Sequence, residues 1–183
     1  GVQDETVCVM DLGGGTLDVS IVLVGGFTAE VLGSNGNAWL GGDDFDAAIA
    51  KHLVSEAGFT RKSESSPEVV IAARRAKERL TFHKNVSVLL REAGSGKTVE
   101  VGLRREVFKK KCKDLVKKLQ EPLLNVCMLC GFQTSVQAFA TKNPGKGRKH
   151  SKARPSLQGK QLDRVLLVGA ASRMPILSEV SDD

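Results

Sequence analysis

Thr6-Val-Cys-Val-Met-Asp11-Leu-Gly13-Gly14-Gly15-Thr16-Leu-Asp18-Val-Ser20 decides the reading of this chain. It is written as a strand, a glycine turn and a second strand. Val7 and Val9 are β-branched strand formers. Three glycines let the backbone turn sharply and expose its amides. Successive exposed amides form a nest for anions. Thr16 adds a hydroxyl, and Asp11 and Asp18 bracket the turn with carboxylates. Carboxylates beside a phosphate cradle repel it unless a cation lies between, and Mg²⁺, which takes oxygen ligands and keeps waters, suits that place. Two readings follow from the residues: a tight hairpin with a glycine-rich turn, or a phosphate site with Mg²⁺.

Outward from this stretch, residues 17–24 give the second strand, Gly25-Gly26 a turn and Phe27 to Leu32 a third strand, which makes an antiparallel meander. Gly33-Ser-Asn-Gly-Asn37 has the residues of a loop. In Trp39-Leu40-Gly41-Gly42-Asp43-Asp44-Phe45-Asp46 two glycines precede carboxylates and a helical pattern carried by Phe45, Ile49 and Leu53. Asp43 or Asp44 is expected to cap this helix and Gly58 to end it. Arg61 to Ser66 is a polar linker. A second helix opens at a Ser65 or Ser66 cap with Pro67 in its first turn. Val69, Ala73, Ala76 and Leu80 mark its buried face; Arg74, Arg75, Lys77, Glu78 and Arg79 form the other, a solvated face or a ligand wall.

Val86, Val88 and Leu90, then Val99, Val101 and Leu103, alternate as a hairpin. Gly96-Lys97-Thr98 is not a P-loop, because that motif needs a glycine where Arg91 stands and a helix where a strand pattern follows. Asn85-Val86-Ser87 fits a glycosylation sequon by chance. A long helix begins near Arg104, with Phe108, Cys112, Leu115, Leu119, Leu123 and Val126 along one stripe and six lysines around it. Pro122 is expected to kink it or loosen a turn, and Gly131 to end it. Residues 141–159, rich in Lys, Arg, Gly, Pro and Ser, read as a flexible insertion. It is a solvated loop, a site for anionic partners or a nuclear address. Val165 to Val168 then reads as a buried strand, followed by a small-residue turn from Gly169 and by Pro175 just inside a helix. A strand, a glycine turn and a helix N-terminus make an anion-ready site.

At 183 residues the chain fits one domain or two small ones. No apolar run reaches the 18 or more residues of a membrane helix, and no secretory signal is visible. The net charge of +6 is matched by six cations between Lys142 and Arg154, so the basic pI belongs to one segment and no nucleic-acid face is expected. Cys8, Cys112, Cys127 and Cys130 offer one C-x-x-C pair and no second pair for zinc. Reduced, mostly buried cysteines in a cytosol-like compartment are expected.

Asp11-Leu-Gly-Gly-Gly-Thr-Leu-Asp-Val-Ser resembles the second phosphate loop of the seventy-kilodalton heat-shock chaperones, ATPases of the actin and sugar-kinase fold. The resemblance continues in order. Leu40-Gly-Gly-Asp-Asp-Phe-Asp is similar to a motif that enters the family's outer subdomain and approaches the terminal phosphate; Gly41 and Gly42 match it. Lys77 stands at the lysine of an acid, lysine and arginine set that holds adenosine, and Thr81 matches a serine beside it. Arg74 stands where the acid is usual, and Glu78 where eukaryotic cytosolic members have the arginine. Arg104-Arg105-Glu106-Val107-Phe108 resembles a helix start that sends a lysine and an acid toward adenosine, without choosing the lysine. Gly169, Arg173 and Pro175 match a Val-Gly-Gly-Ser-Thr-Arg-Ile-Pro stretch that packs on adenosine; Ala170 and Ala171 replace its second glycine and its serine.

The resemblance implies an α/β actin-like (ribonuclease H-like) ATPase half-domain, lobe II of the nucleotide-binding domain. Residues 1–40 and 107–183 would form the inner subdomain, 41–106 the outer. ATP or ADP with Mg²⁺, and K⁺ as a further cation, are the implied ligands. Asp11 would hold Mg²⁺ through water or orient the attacking water, Gly13, Gly14 and Gly15 would donate amides, Thr16 its hydroxyl, and Asp18 would ligate a cation. Gly41, Gly42, Lys77, Thr81, Gly169 and Arg173 would complete the nucleotide site. Implied partners are lobe I, a peptide-binding domain, nucleotide-exchange factors and J-domain co-chaperones, with no membrane and a cytoplasmic setting. Lobe II alone is expected to hydrolyse little. The alternative is a divergent member with weak or no nucleotide binding that works as a regulatory or co-chaperone-docking module.

Overall fold

The computed structural model describes residues 4–92, 94–132, 159 and 161–177. The expected meander forms from β1 (Glu5–Leu12), β2 (Leu17–Gly25) and β3 (Thr28–Asn37). A parallel strand, β6 (Arg164–Val168), joins beside β1, giving the sheet order β3-β2-β1-β6. Alternation sorts the faces. Cys8, Met10, Leu12, Leu17, Val19 and Ile21 are buried in the core, whereas Asp11 and Asp18 are exposed.

Helix α3 (Arg105–Cys130) packs across this sheet with Phe108, Cys112, Leu119, Leu123 and Val126 buried. It continues through Pro122 as one element and ends where Gly131 takes φ 81°, the left-handed cap that suits glycine. Helix α1 (Gly42–Ala57) leans on α3 through Phe45 and Phe108, whose ring centroids are 6.4 Å apart. It ends at Gly58, as expected. A short 3₁₀ turn, Arg61–Ser65, leads to helix α2 (Pro67–Leu80). Ser66 is its N-cap, accepting from the Val69 amide, with Pro67 in the first turn. Strands β4 (Asn85–Arg91) and β5 (Thr98–Arg104) pair as a separate hairpin against α1 and α2. Gly96-Lys97-Thr98 runs from the hairpin turn into β5, which bears out the rejection of a P-loop.

Four expectations need correction. Residues 33–37 are not a loop but the second half of β3, because β2 offers a ladder there: Gly33 pairs with Ile21 and Asn37 with Leu17, past a bulge at Ile21/Val22. The ladder outweighs the local turn preference of Gly and Asn. Second, β6 is not a buried strand. Val165, Leu166 and Val168 are 39–48% exposed, since among the described residues β6 pairs only with β1 and forms the sheet edge. Third, neither Asp43 nor Asp44 is the N-cap of α1. Gly41 holds that position, and Asp44 acts from the third helical position by accepting from the Gly41 amide at 2.8 Å. Fourth, Gly169 leads into a 3₁₀ turn, Ala170–Arg173, so Pro175 does not stand inside a helix among the described residues. The basic segment 141–158 lies outside the described residues.

Candidate functional site

The glycine turn between β1 and β2 is docked onto the start of α1. Gly13 accepts from the Gly42 amide at 2.9 Å, and Gly14 from the Asp43 amide at 2.7 Å. Two of the first-turn donors that every helix leaves unpaired are thereby satisfied by the loop. The approach is so close that a Cβ at Gly41 would overlap the Gly14 carbonyl. The turn itself closes through Gly13 donating to the Thr16 carbonyl at 2.9 Å. Gly14, Gly15 and Thr16 are exposed, and no acceptor among the described residues takes their amides. A Cβ at Gly15 would meet nothing within 4 Å. Free successive amides with open space in front fit an anion.

Asp11 and Asp18 face each other in register across β1 and β2 and are both exposed. Like charges directly opposite in a ladder repel, which a cation between them would relieve. Among the described residues no third His, Cys, Asp or Glu joins them as a cluster. The pair therefore suits an ion that retains several waters, as Mg²⁺ does. On the other side of Asp11, Val168 is its partner in β6, and Gly169 follows with φ 89°. A Cβ at Gly169 would overlap the Leu12 carbonyl and come 2.5 Å from Asp11 Oδ1. Only glycine satisfies both the dihedral and the approach.

The α1–α2 junction carries the charge. Asp46 is 1% exposed and sits under two cations: Lys77 Nζ lies 2.7 Å from its Oδ1, and Arg74 Nε donates to its Oδ2 at 3.0 Å. Lys77 Nζ also donates to the Gly42 carbonyl at 2.9 Å. Arg74 reaches on to Asp43 Oδ1 at 2.6 Å. Hydrogen bonding to Asp46, then the charges of Asp46 and Asp43, hold the Arg74 guanidinium above its ordinary range. Thr81, at the end of α2, donates from its hydroxyl to the Arg173 carbonyl at 3.2 Å. These groups enclose a cleft of about 700 Å³ whose walls are the glycine turn, the α1 start, α2 with its following turn, and residues 169–174.

The sequence model of the family described as Hsp70 protein matches residues 1–135. The chain belongs to the Hsp70 family. It is 31% identical to a chaperone protein dnaK of Trieres chinensis over 204 residues, 98% of this chain and 32% of that protein. It is 32% identical to the chaperone protein HscA homolog of Shewanella denitrificans over 185 residues, 96% of this chain and 29% of that protein. A mitochondrial heat shock 70 kDa protein of Dictyostelium discoideum is 29% identical over 185 residues, 98% of this chain and 25% of that protein. The chain thus spans about a third or less of the length of these relatives. Its mixed α/β architecture is that of the Hsp70 actin-like ATPase fold. Hsp70 relatives include mitochondrial and chloroplastic forms, so family membership does not choose a compartment. No described helix is long and apolar enough to cross a membrane.

Six of the residues singled out in the sequence meet in the Hsp70 cleft: Gly14, Gly42, Lys77, Thr81, Gly169 and Arg173. Asp11, Gly13, Gly15, Thr16, Asp18 and Gly41 are grouped next to it around the glycine turn but do not line it. Two of the six have inward commitments. Lys77 is buried and engaged by Asp46 and Gly42, and the Thr81 hydroxyl is spent on Arg173. Sequence reasoning quoted Asp46 within a motif but gave it no role of its own, and it missed Asp43 as a wall of the cleft. The available signal was reciprocal spacing: Asp43 and Asp46 are three apart, and so are Arg74 and Lys77, with opposite sign. Phe82, Ala170 and Ala171 line the cleft as well.

Proposed function

We propose that this chain is lobe II of the nucleotide-binding domain of an ATP-dependent chaperone. The cleft that gathers Gly14, Gly42, Lys77, Thr81, Gly169 and Arg173 carries the reading. Residues 1–40 and 107–183 form the inner subdomain and 41–106 the outer. The phosphates lie at the free amides of Gly14, Gly15 and Thr16, and the adenosine lies in the cleft between α2 and residues 169–173. Asp11 and Asp18 would hold Mg²⁺, with K⁺ as a further cation. Such an ion would supply charge neutralisation for phosphate oxygens. Asp11 would act either through this ion or by orienting the attacking water, and the Thr16 hydroxyl would donate to the phosphates. Gly41 and Gly169 let neighbouring backbones come close enough to shape the cleft.

Phosphoryl transfer is positioning and charge neutralisation from all sides. In the whole protein lobe I supplies the other side, and hydrolysis is coupled to a peptide-binding domain, with exchange factors and J-domain co-chaperones as partners. The isolated chain is predicted to bind Mg·ADP in titration calorimetry and to turn over no ATP above background. Mg²⁺-dependent turnover that disappears in Asp11→Ala would contradict the second half.

One observation favours a second reading. Arg74 stands in the cleft tied to Asp43 and Asp46, and Glu78 adds a further carboxylate to the same wall. A divergent member with this wall works as a regulatory or co-chaperone-docking module with little nucleotide affinity. A folded chain that gives no heat with Mg·ADP decides for it.

A further inference from the structure

Two cations of α2 reach the cleft, and only Arg74 is loosely held. Lys77 is buried, with Nζ between the Asp46 carboxylate and the Gly42 carbonyl. Arg74 is half-exposed, and its contacts differ in kind. Nε donates to Asp46, which is 1% exposed, so that end is a fixed pivot. Nη2 donates to Asp43, whose side chain is 61% exposed, and ion pairs this exposed hold weakly. No acceptor among the described residues takes Nη1. The guanidinium thus keeps donors that these contacts do not use.

Asp43 in turn stands against the glycine turn. Both of its carboxylate oxygens lie 3.7 Å from the place a Cβ would take on Gly14. Gly14 is the first of the turn's free amides. An anion at those amides has an exposed carboxylate beside it, and next to that carboxylate the Arg74 guanidinium. Asp46 and Lys77 offset each other beneath, and Glu78 adds one more carboxylate to the α2 wall.

We infer that Arg74 is a phosphate-binding residue of this cleft and that Asp43 is the internal anion it releases. Pivoting at Asp46, the guanidinium leaves the Asp43 carboxylate for phosphate oxygens at the Gly14–Thr16 amides. The inference rests on the phosphate site proposed above and adds a side chain to it. A guanidinium matches phosphate bidentately, and a terminal phosphate carries more charge than a carboxylate, so the exchange favours the ligand. Until a ligand arrives, Asp43 competes for the same donors.

The test titrates Mg·pyrophosphate and Mg·ADP by calorimetry into the chain, Arg74→Gln, Asp43→Asn and the double variant, with thermal melting to confirm folding. Arg74→Gln is expected to bind pyrophosphate about ten-fold or more weaker. Asp43→Asn is expected to bind it about three-fold tighter. With Asp43→Asn already in place, Arg74→Gln is expected to weaken binding at least as much as it does alone. Unchanged pyrophosphate affinity in Arg74→Gln overturns the inference and leaves the nucleotide reading standing. So does a loss that vanishes in the double variant, which would mean that Arg74 only screens Asp43. If Arg74→Gln does not fold, Asp43→Asn carries the test, because it alters an exposed residue; affinity unchanged or weaker there overturns the inference. A native chain that takes Mg·ADP but not Mg·pyrophosphate overturns it alone. A native chain that takes neither overturns the nucleotide reading, and this inference with it.

Discussion

Asp46 is a carboxylate sealed beneath α2, with Lys77 on one oxygen and Arg74 on the other. A buried charge survives only when it is paired, and removing one partner of a buried pair costs more than the pair contributes. Lys77→Met is therefore predicted to destabilise the chain by about 3 kcal/mol in urea unfolding. A loss below about 1 kcal/mol would mean the junction is as weak as a surface ion pair. Arg74 is half-exposed and shares its charge with the exposed Asp43, so it contributes less. This revises what the sequence alone suggests for position 74. The resemblance marks Arg74 as a departure from the family's acid and does not show what the arginine pairs with. Its partners Asp43 and Asp46 are 31 and 28 residues away, and only the docking of α1 on α2 joins them. The glycines were legible for the opposite reason. Gly41 and Gly169 serve backbone approach, a requirement that no other residue type meets.

Helix α2 shows what holds an element in place to form a wall. Its N-terminus is capped by Ser66, whose hydroxyl lies 3.4 Å from the Val69 amide. Its C-terminal carbonyls are taken by Arg105 from the start of α3. Ser66→Ala is predicted to cost about 0.5–1 kcal/mol, given the long bond. Arg105→Ala, which strips a charged donor from several carbonyls, is predicted to cost about 2 kcal/mol. Urea unfolding of the two variants tests the order; equal losses would contradict the tie. The Ser66-Pro67 start, the Val69/Ala73/Ala76/Leu80 stripe and the Gly58 and Gly131 ends were readable because caps and periodicity are local. The extension of β3 and the exposure of β6 were not. Strand length and burial depend on which neighbour supplies the ladder, and Gly33 to Asn37 carries loop residues in a strand that β2 demands.

At the scale of the molecule, one core joins the sheet, α1, α2 and α3, and all four cysteines lie in it as free thiols. The C-x-x-C pair is therefore a pair of core residues on α3, and the expectation of buried cysteines holds. Burial pushes Cys8 up to about 11 and Cys112 and Cys127 to about 12, from an ordinary value of 9.0. The folded chain holds these protons more tightly than the unfolded chain does. Their stabilisation is fully present below pH 9.0 and is lost as pH rises from there toward about 12. Disulfide-exchange reagents at neutral pH are predicted to find four thiols in urea and almost none in the native chain, and Cys112→Ala to flatten the fall in stability above pH 9.0. Rapid native labelling would contradict this packing.

The account stands or falls on whether the cleft takes an adenine nucleotide. Amide hydrogen exchange with and without Mg·ADP measures this across the whole chain at once. Protection is predicted at Gly13–Thr16, along residues 74–82 and at 169–174, with the β4–β5 hairpin unchanged. Identical exchange in both conditions, or protection confined to regions away from these three segments, would contradict it.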